Sequence, residues 1–195
     1  MSVHSKSAPR GRVKWRRFAI VAVPAIVVAG ILIGLTAEGA IASSISVSGE
    51  EYLITSSQLN GTGFEQFGGQ VASSKGTQPV IVSGIHSASL SHLCQSVTVG
   101  PVTLHLTAGD GTPVTAQNLI VDASGQTGTD ATFHNISIGL DAGSLSEDPG
   151  AEGTAGGFAQ QADTIQIDNL VQHTWLTTAG TFTLPGLSLG FGGSC

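Results

Sequence analysis

Two hydrophobic patterns run along the chain. The first is continuous. Phe18 to Ala37 reads FAIVAVPAIVVAGILIGLTA, with no charged residue. A helix rises about 1.5 Å per residue, so this run spans the roughly 30 Å hydrocarbon core of a bilayer. Pro24 and the glycines would damage a helix in water, but membrane helices tolerate them. The second pattern is alternation. It appears in Ile45-Ser46-Val47-Ser48, Val97-Thr98-Val99, Val102-Thr103-Leu104-His105-Leu106, Ile165-Gln166-Ile167-Asp168 and Phe182-Thr183-Leu184. Alternation gives a strand one apolar and one polar face. The expected fold class is all-β. It is a single antiparallel sandwich or meander over 43–195, preceded by one N-terminal transmembrane or signal helix.

Turn signals divide the β region. Gly109-Asp110-Gly111-Thr112-Pro113 predicts a hairpin between 97–107 and 114–122. A small or polar residue followed by an aliphatic one recurs at Gly84, Pro101, Asn118, Asn135, Asn169 and Gly186, at multiples of 17. One strand and turn per period suits a meander or sandwich; one coil of a β-solenoid is the other form. Residues 141–157, DAGSLSEDPGAEGTAGG, read as a mobile solvated loop. The alternative is a Ca²⁺ loop using Asp141, Glu147, Asp148 and Glu152, but no known calcium pattern is present.

Charge assigns the address. Six of the seven basic residues lie in the tail over 1–17, and all thirteen acidic residues follow Ala37. From Ser43 onward one lysine faces twelve acidic residues, a balance of −11. Such a body repels phosphate backbones, which argues against nucleic-acid binding. A basic flank before an apolar run keeps the tail over 1–17 in the cytoplasm and exports the remainder. The expected contact with the lipid bilayer is through 18–37. Ala40-Ile41-Ala42 before Ser43 fits a signal-peptidase site, while the apolar run exceeds an ordinary signal-peptide core. The protein is then either a single-pass membrane protein with its C-terminus outside or a secreted one cleaved near Ala42. Cys94 and Cys195 are the only cysteines, and both fall on the exported side. An oxidising compartment makes a Cys94–Cys195 disulfide the simplest expectation. Closing a loop of about 100 residues stabilises by up to about 4–5 kcal/mol in the chain-entropy model.

Catalytic patterns are weak. Gly186-Leu187-Ser188-Leu189-Gly190 matches G-x-S-x-G, but no helix can follow and the last histidine, His173, lies upstream. His86 and His92 on one strand would stand about 20 Å apart, too far for one metal. His92 and Cys94 could face one ion, yet no third ligand has motif spacing. His105, His134 and His173 read as isolated histidines. Asn60 and Asn135 head sequons, the second expected within a strand. Tyr52 and Trp175 read as packing residues. No catalytic, metal or cofactor residue is assigned, and no cofactor is expected.

Several long segments are idiosyncratic: RVKWRRFAIVAVPA, ISVSGEEYLITSSQLNGTGFEQFGG, SHLCQSV, ATFHNISIGLDAGSL and GFAQQADTIQIDNLVQHTWLTTAGTFTLPGLSL. Together with Cys195 they make the chain resemble a family of small exported actinobacterial proteins built on a domain of unknown function. The resemblance implies a membrane-inserted or secreted protein without an established biochemical role. Members sometimes carry the label cholesterol esterase, which Ser188 does not support. The leading expectation is a cell-envelope or surface protein that binds an envelope partner or assembles with itself without catalysis. The alternatives are a lipid- or sterol-binding module and a lipid or sterol ester hydrolase.

Overall fold

The computed structural model describes residues 46, 47, 49–147 and 149–195. The tail over 1–17, the helix expected over 18–37 and the processing candidates Ala40, Ala42 and Ser43 lie outside them. The described chain forms eleven strands. They are β1 (Ser46–Val47), β2 (Tyr52–Ser73), β3 (Gly76–Ser91), β4 (Leu93–Val99), β5 (Val102–Ala108) and β6 (Val114–Thr127). β7 (Asp130–His134), β8 (Ser137–Asp141), β9 (Phe158–Thr178), β10 (Thr181–Thr183) and β11 (Ser188–Phe191) follow. Among the described residues, one 3-10 turn over Ala142–Ser144 is the helical content, and no helix is long and apolar enough to cross a membrane. The all-β antiparallel expectation is met, with β1–β2 a short parallel pair.

The pairing closes on itself. β2 pairs with β3, β3 with β6, β6 with β9, and β9 returns to β2. A walk across these ladders shows the stagger. Tyr52 faces Thr174, Thr174 faces Ala123, Ala123 faces Ile81, and Ile81 faces Gly68. The walk returns to β2 sixteen positions beyond its start. Closure of a sheet requires such a stagger, because tilted strands must meet out of register. A ring of four strands is small, so its strands must coil strongly. This single closed sheet replaces the two packed sheets of a sandwich. Its antiparallel ladders also differ from the parallel stacking of solenoid coils.

Coiling comes from rows of irregular residues. Inward-facing positions on β2 are Ile54 and Ser56, then Leu59 and Gly61, then Phe64. The step is three instead of two after Ser56 and after Gly61. β9 slips likewise between Ala162 and Ile165 and between Ile167 and Leu170; β6 slips between Ala116 and Leu119. The ladders pass over one residue on each strand at these places. One row contains Asn118, His86, Gly63 and Asp163; another contains Ser57 and Asn169. Gly63, Asn118 and Asn169 have φ of +64°, +49° and +50°. Asparagine enters this left-handed region more readily than other non-glycine residues. Irregularities of this kind bend strands and increase their twist. Of the six positions spaced at multiples of 17, Asn118, Asn135, Asn169 and Gly186 have positive φ, while Gly84 and Pro101 do not.

The interior is packed. Phe64, Ile85, Val114, Ala116, Leu119, Ile165 and Leu170 lie in one buried cluster. Gly61 leaves room there: a Cβ at this position would stand 2.6 Å from Ile85 Cγ2. The residual cavity is about 30 Å³, enough for roughly one water.

Three local expectations change. The predicted 97–107/114–122 hairpin does not form. β5 pairs with β4 and β11, while β6 pairs with β3, β9 and β10. Gly100, with φ +60°, turns β4 into β5, so residues 97–107 are themselves most of a hairpin. Gly109 to Pro113 instead crosses to the ring. Second, the segment after Asp141 is exposed at most of its positions, as expected of a solvated loop, but it is pinned at two of them. Pro149 is fully buried, and Ala142 packs with Phe67 and Ala159. Asp141 Oδ1 accepts from Gly143 N at 2.8 Å and Gly156 N at 2.9 Å, which holds its pKa below the ordinary carboxylate value. Glu147 N donates to the buried Glu65 Oε1 at 2.8 Å. Third, Asn135 lies between β7 and β8 and not within a strand.

Asn118 tests the role of the corners. A β-branched side chain at its left-handed backbone position costs on the order of 1–2 kcal/mol, whereas glycine removes that penalty. Asn118→Val is expected to lower unfolding stability by about that amount. Asn118→Gly should retain it, as read by chemical denaturation.

Candidate interaction surface

β4, β5 and β11 extend the ring as a small flap. β4 joins β2 through Leu53 to Thr55, and β11 adds to the free side of β5. Paired residues in an antiparallel ladder share a face, so register assigns the two surfaces. One face holds Leu93, Gln95, Val97 and Val99 of β4, with Ala108, Leu106, Leu104 and Val102 opposite them. Leu189 and Phe191 of β11 sit opposite Leu106 and Leu104 on that face. The other face holds Cys94, Ser96, Thr98, Thr103 and His105.

The apolar face begins in the core and runs out of it. Leu93 and Ala108 are buried. Further out, Val102 is 48% exposed, Val99 59%, Leu189 62% and Phe191 81%. Tyr52, Val97, Leu104, Leu106 and Leu189 line an open groove of about 300 Å³ beside them. Singly exposed aliphatics are ordinary; a contiguous set on one sheet face marks an interaction surface. The flap carries no Asp, Glu, Lys or Arg from Leu93 to Gly109, and none follows Asp168.

The polar face is fastened. Cys94 and Cys195 form a disulfide with a Cα–Cα distance of 5.8 Å across 101 positions. His105 Nε2 lies 3.3 Å from Cys94 Sγ, and Cys195 N donates to Ser96 Oγ at 3.3 Å. Thr98 and Thr103 hydroxyls pair at 2.9 Å. Cys94, His105 and Cys195 bring three potential ligand atoms within 4.8 Å, but the two sulfurs are already bonded to each other. The bond holds the segment after β11 against β4 and so supports the edge of the flap.

Tyr52 forms the inner wall of the groove. Its hydroxyl donates to Thr177 Oγ1 at 2.6 Å. Burial raises the phenol pKa, the Thr177 bond opposes this, and the Asp122 charge adds to the rise. Burial also raises the carboxyl pKa of Asp122, on β6 opposite Val82 and Leu176. Tyr52 is thus the packing residue that scarcity of aromatics suggested. Trp175 packs likewise, against Val71 and Val80.

The remaining sequence candidates are dispersed. Ser188 begins β11 and pairs with Thr107, so it lies on a strand and not on a strand-to-helix elbow. His92 does not share an ion with Cys94: its Nδ1 stands 3.1 Å from Ser57 Oγ and its Nε2 3.5 Å from Asp110 Oδ1. His86, Glu147 and Asp163 border a shallow surface hollow at Gly63, where Asn135 Nδ2 donates to Asp163 Oδ2 at 2.6 Å. His134 edges a groove with Asn60, Gln117, Ile165 and Gln166. Asp141 serves as a loop cap, Glu152 lines a second hollow beside Glu65, and Asp148 lies outside the described residues. The apolar flap face escaped sequence reading. Alternation identified its strands and their two faces, but local sequence does not say whether another layer packs on the apolar one.

Two outcomes test this arrangement. Replacing both cysteines by serine should cost about 2–5 kcal/mol of stability, the usual loss for a native bridge in a small domain. Denaturation midpoints with and without reductant would measure it. Asp122 gives a pH signature. Its folded pKa is raised, so its ionised form weakens the fold, and that penalty is absent below the unfolded pKa. Asp122→Asn should therefore raise the denaturation midpoint at pH 7 and lose the advantage near about pH 3, where the carboxyl is protonated in both states.

No curated protein and no solved structure matches the chain. A family model does match, over residues 48–195, covering the whole flap, the ring and both cysteines. The chain belongs to the family of unknown function DUF6230.

Proposed function

We propose that this is an exported cell-envelope protein whose β body acts without catalysis, by binding through the apolar face of the flap. The carrying observation is a core-derived apolar surface left open on a body of net charge −11. Exposed apolar area of this kind is retained where it contacts something. The disulfide supports the address, because such bonds persist in oxidising compartments. The resemblance to exported actinobacterial proteins favours the same address. The basic tail over 1–17 and the apolar run over 18–37 supply the route out, ending in a retained anchor or in cleavage near Ala42. A ligand carried inside the ring is less favoured: small-molecule pockets hold roughly 300–1,000 Å³, whereas the interior leaves about 30 Å³.

Lysines provide a direct test. Lys75 is the single lysine of the body and its side chain is 58% exposed, while Lys6 and Lys14 lie in the tail. A membrane-impermeant amine reagent applied to intact cells should label Lys75 and spare Lys6 and Lys14. If the chain is cleaved, the labelled product should begin at Ser43. Labelling of Lys6 and Lys14 with Lys75 spared, or no labelling until cells are lysed, would refute export.

A further inference from the structure

We propose that the open face of the flap rests on a lipid bilayer, with Phe191, Leu189 and the Val99–Val102 tip in the headgroup and upper acyl region. This rests on the reading of 18–37 as a membrane anchor, and extends it from a tether to a second, independent contact. Three observations select lipid over a protein partner.

The first is charge. No Asp, Glu, Lys or Arg occurs from Leu93 to Gly109 or after Asp168. Charged side chains are the costliest to bring toward hydrocarbon, so a lipid-facing surface omits them. A protein-binding patch has no such need, since polar and charged residues ordinarily form its rim. The acidic groups of the body lie on other segments, and would repel an anionic membrane if any other side approached.

The second is the division between faces. Val97, Val99, Val102, Leu104, Leu189 and Phe191 share one face; the paired Thr98 and Thr103, His105 and the disulfide occupy the other. A sheet lying in the interface buries its apolar side and keeps its polar side wet, as interfacial amphipathic helices do.

The third is chain length. Eight residues, 38–45, separate the apolar run from Ser46, and Tyr52 on the groove wall follows six positions later. Eight extended residues reach at most about 29 Å. An anchor ending at Ala37 therefore leaves at most about that length of chain between the end of the apolar run and Ser46. Tethering raises effective concentration, so an apolar contact that would be weak in free solution becomes occupied.

The experiment uses the full chain in phosphatidylcholine vesicles. Phe191→Trp places an emitter at the most exposed apolar position of the flap. Ile138→Trp places one on β8, at a site 63% exposed outside the flap. Emission from Trp15 and Trp175 is common to both and is subtracted with the parent chain. With acyl-brominated lipid, the added emission of Phe191→Trp should fall at least twofold, and that of Ile138→Trp should stay unchanged. Vesicle flotation separates the two readings. A chain that does not float with vesicles fails as an anchored protein, and the docking proposal falls with it. A Phe191→Trp chain that floats but whose added emission is unaffected by bromine keeps the anchor and overturns the docking. Added emission that bromine leaves unquenched, but that becomes protected from aqueous iodide as protein concentration rises, assigns the face to a second copy, which also overturns it.

Discussion

The return of β9 to β2 is the interaction on which the rest depends. An open sheet of long strands would leave one edge of β2 and one edge of β9 with unpaired backbone groups, each a template for aggregation. Closure satisfies them within one chain. It also decides what is inside: with the ring closed, alternate side chains of four strands meet in a common core. The sixteen-position stagger is the geometric condition for this closure. The rows at Gly63 and Asn169 meet that condition by turning the strands locally. Phe64 and Leu170 lie immediately after these corners, so each corner delivers a large side chain to the interior.

The flap follows from the same closure. Four strands fill the ring, and β4 can attach only where β2 runs beyond β3, at Leu53 to Thr55. From there β5 and β11 extend outward without an opposing layer. One face keeps the apolar alternation of a core strand because it starts in the core, at Leu93 and Ala108. Nothing in the described chain covers its outer half. The disulfide stiffens the arrangement from the polar side, where Cys195 is joined to Cys94. The open face is thus held in place from behind and presented.

Much of this was legible in the sequence, and the failures are informative. Alternation marked the strands around Val97, Val102 and Ile165, and the lone cysteines marked their bridge. Period-two reading failed where the inward phase slips. Ala162 to Ile165 and Ala116 to Leu119 break the alternation, so a strict count divides one long strand into two short ones or reverses its faces. The 17-residue series caught the corners at Asn118 and Asn169 without their meaning and missed the one at Asp163: the asparagines register left-handed backbone, which local sequence suggests but pairing partners determine. Partner choice itself was beyond local reading. A strong turn signal at Gly109 to Pro113 says that the chain turns, not which strand it joins. The pinning of the exposed loop over Glu65 was missed for a related reason. Glycine and acidic residues usually signal solvent, and only the buried Pro149 and Phe67 reveal a contact made across distant sequence.

The ring also imposes a timetable. For a chain that emerges from its N-terminal end, β2 and β3 are available first, and their hairpin needs only Ser74 and Lys75 between its paired ends. The partner for the other side of β2 begins at Phe158, eighty-five positions beyond Ser73. At ordinary synthesis rates of about 5–20 residues per second, that edge waits roughly 4–17 s for its strand. Until then the hairpin presents one long unpaired edge, the kind that templates pairing with another chain, so the order of synthesis sets when the sheet is exposed and when it is safe.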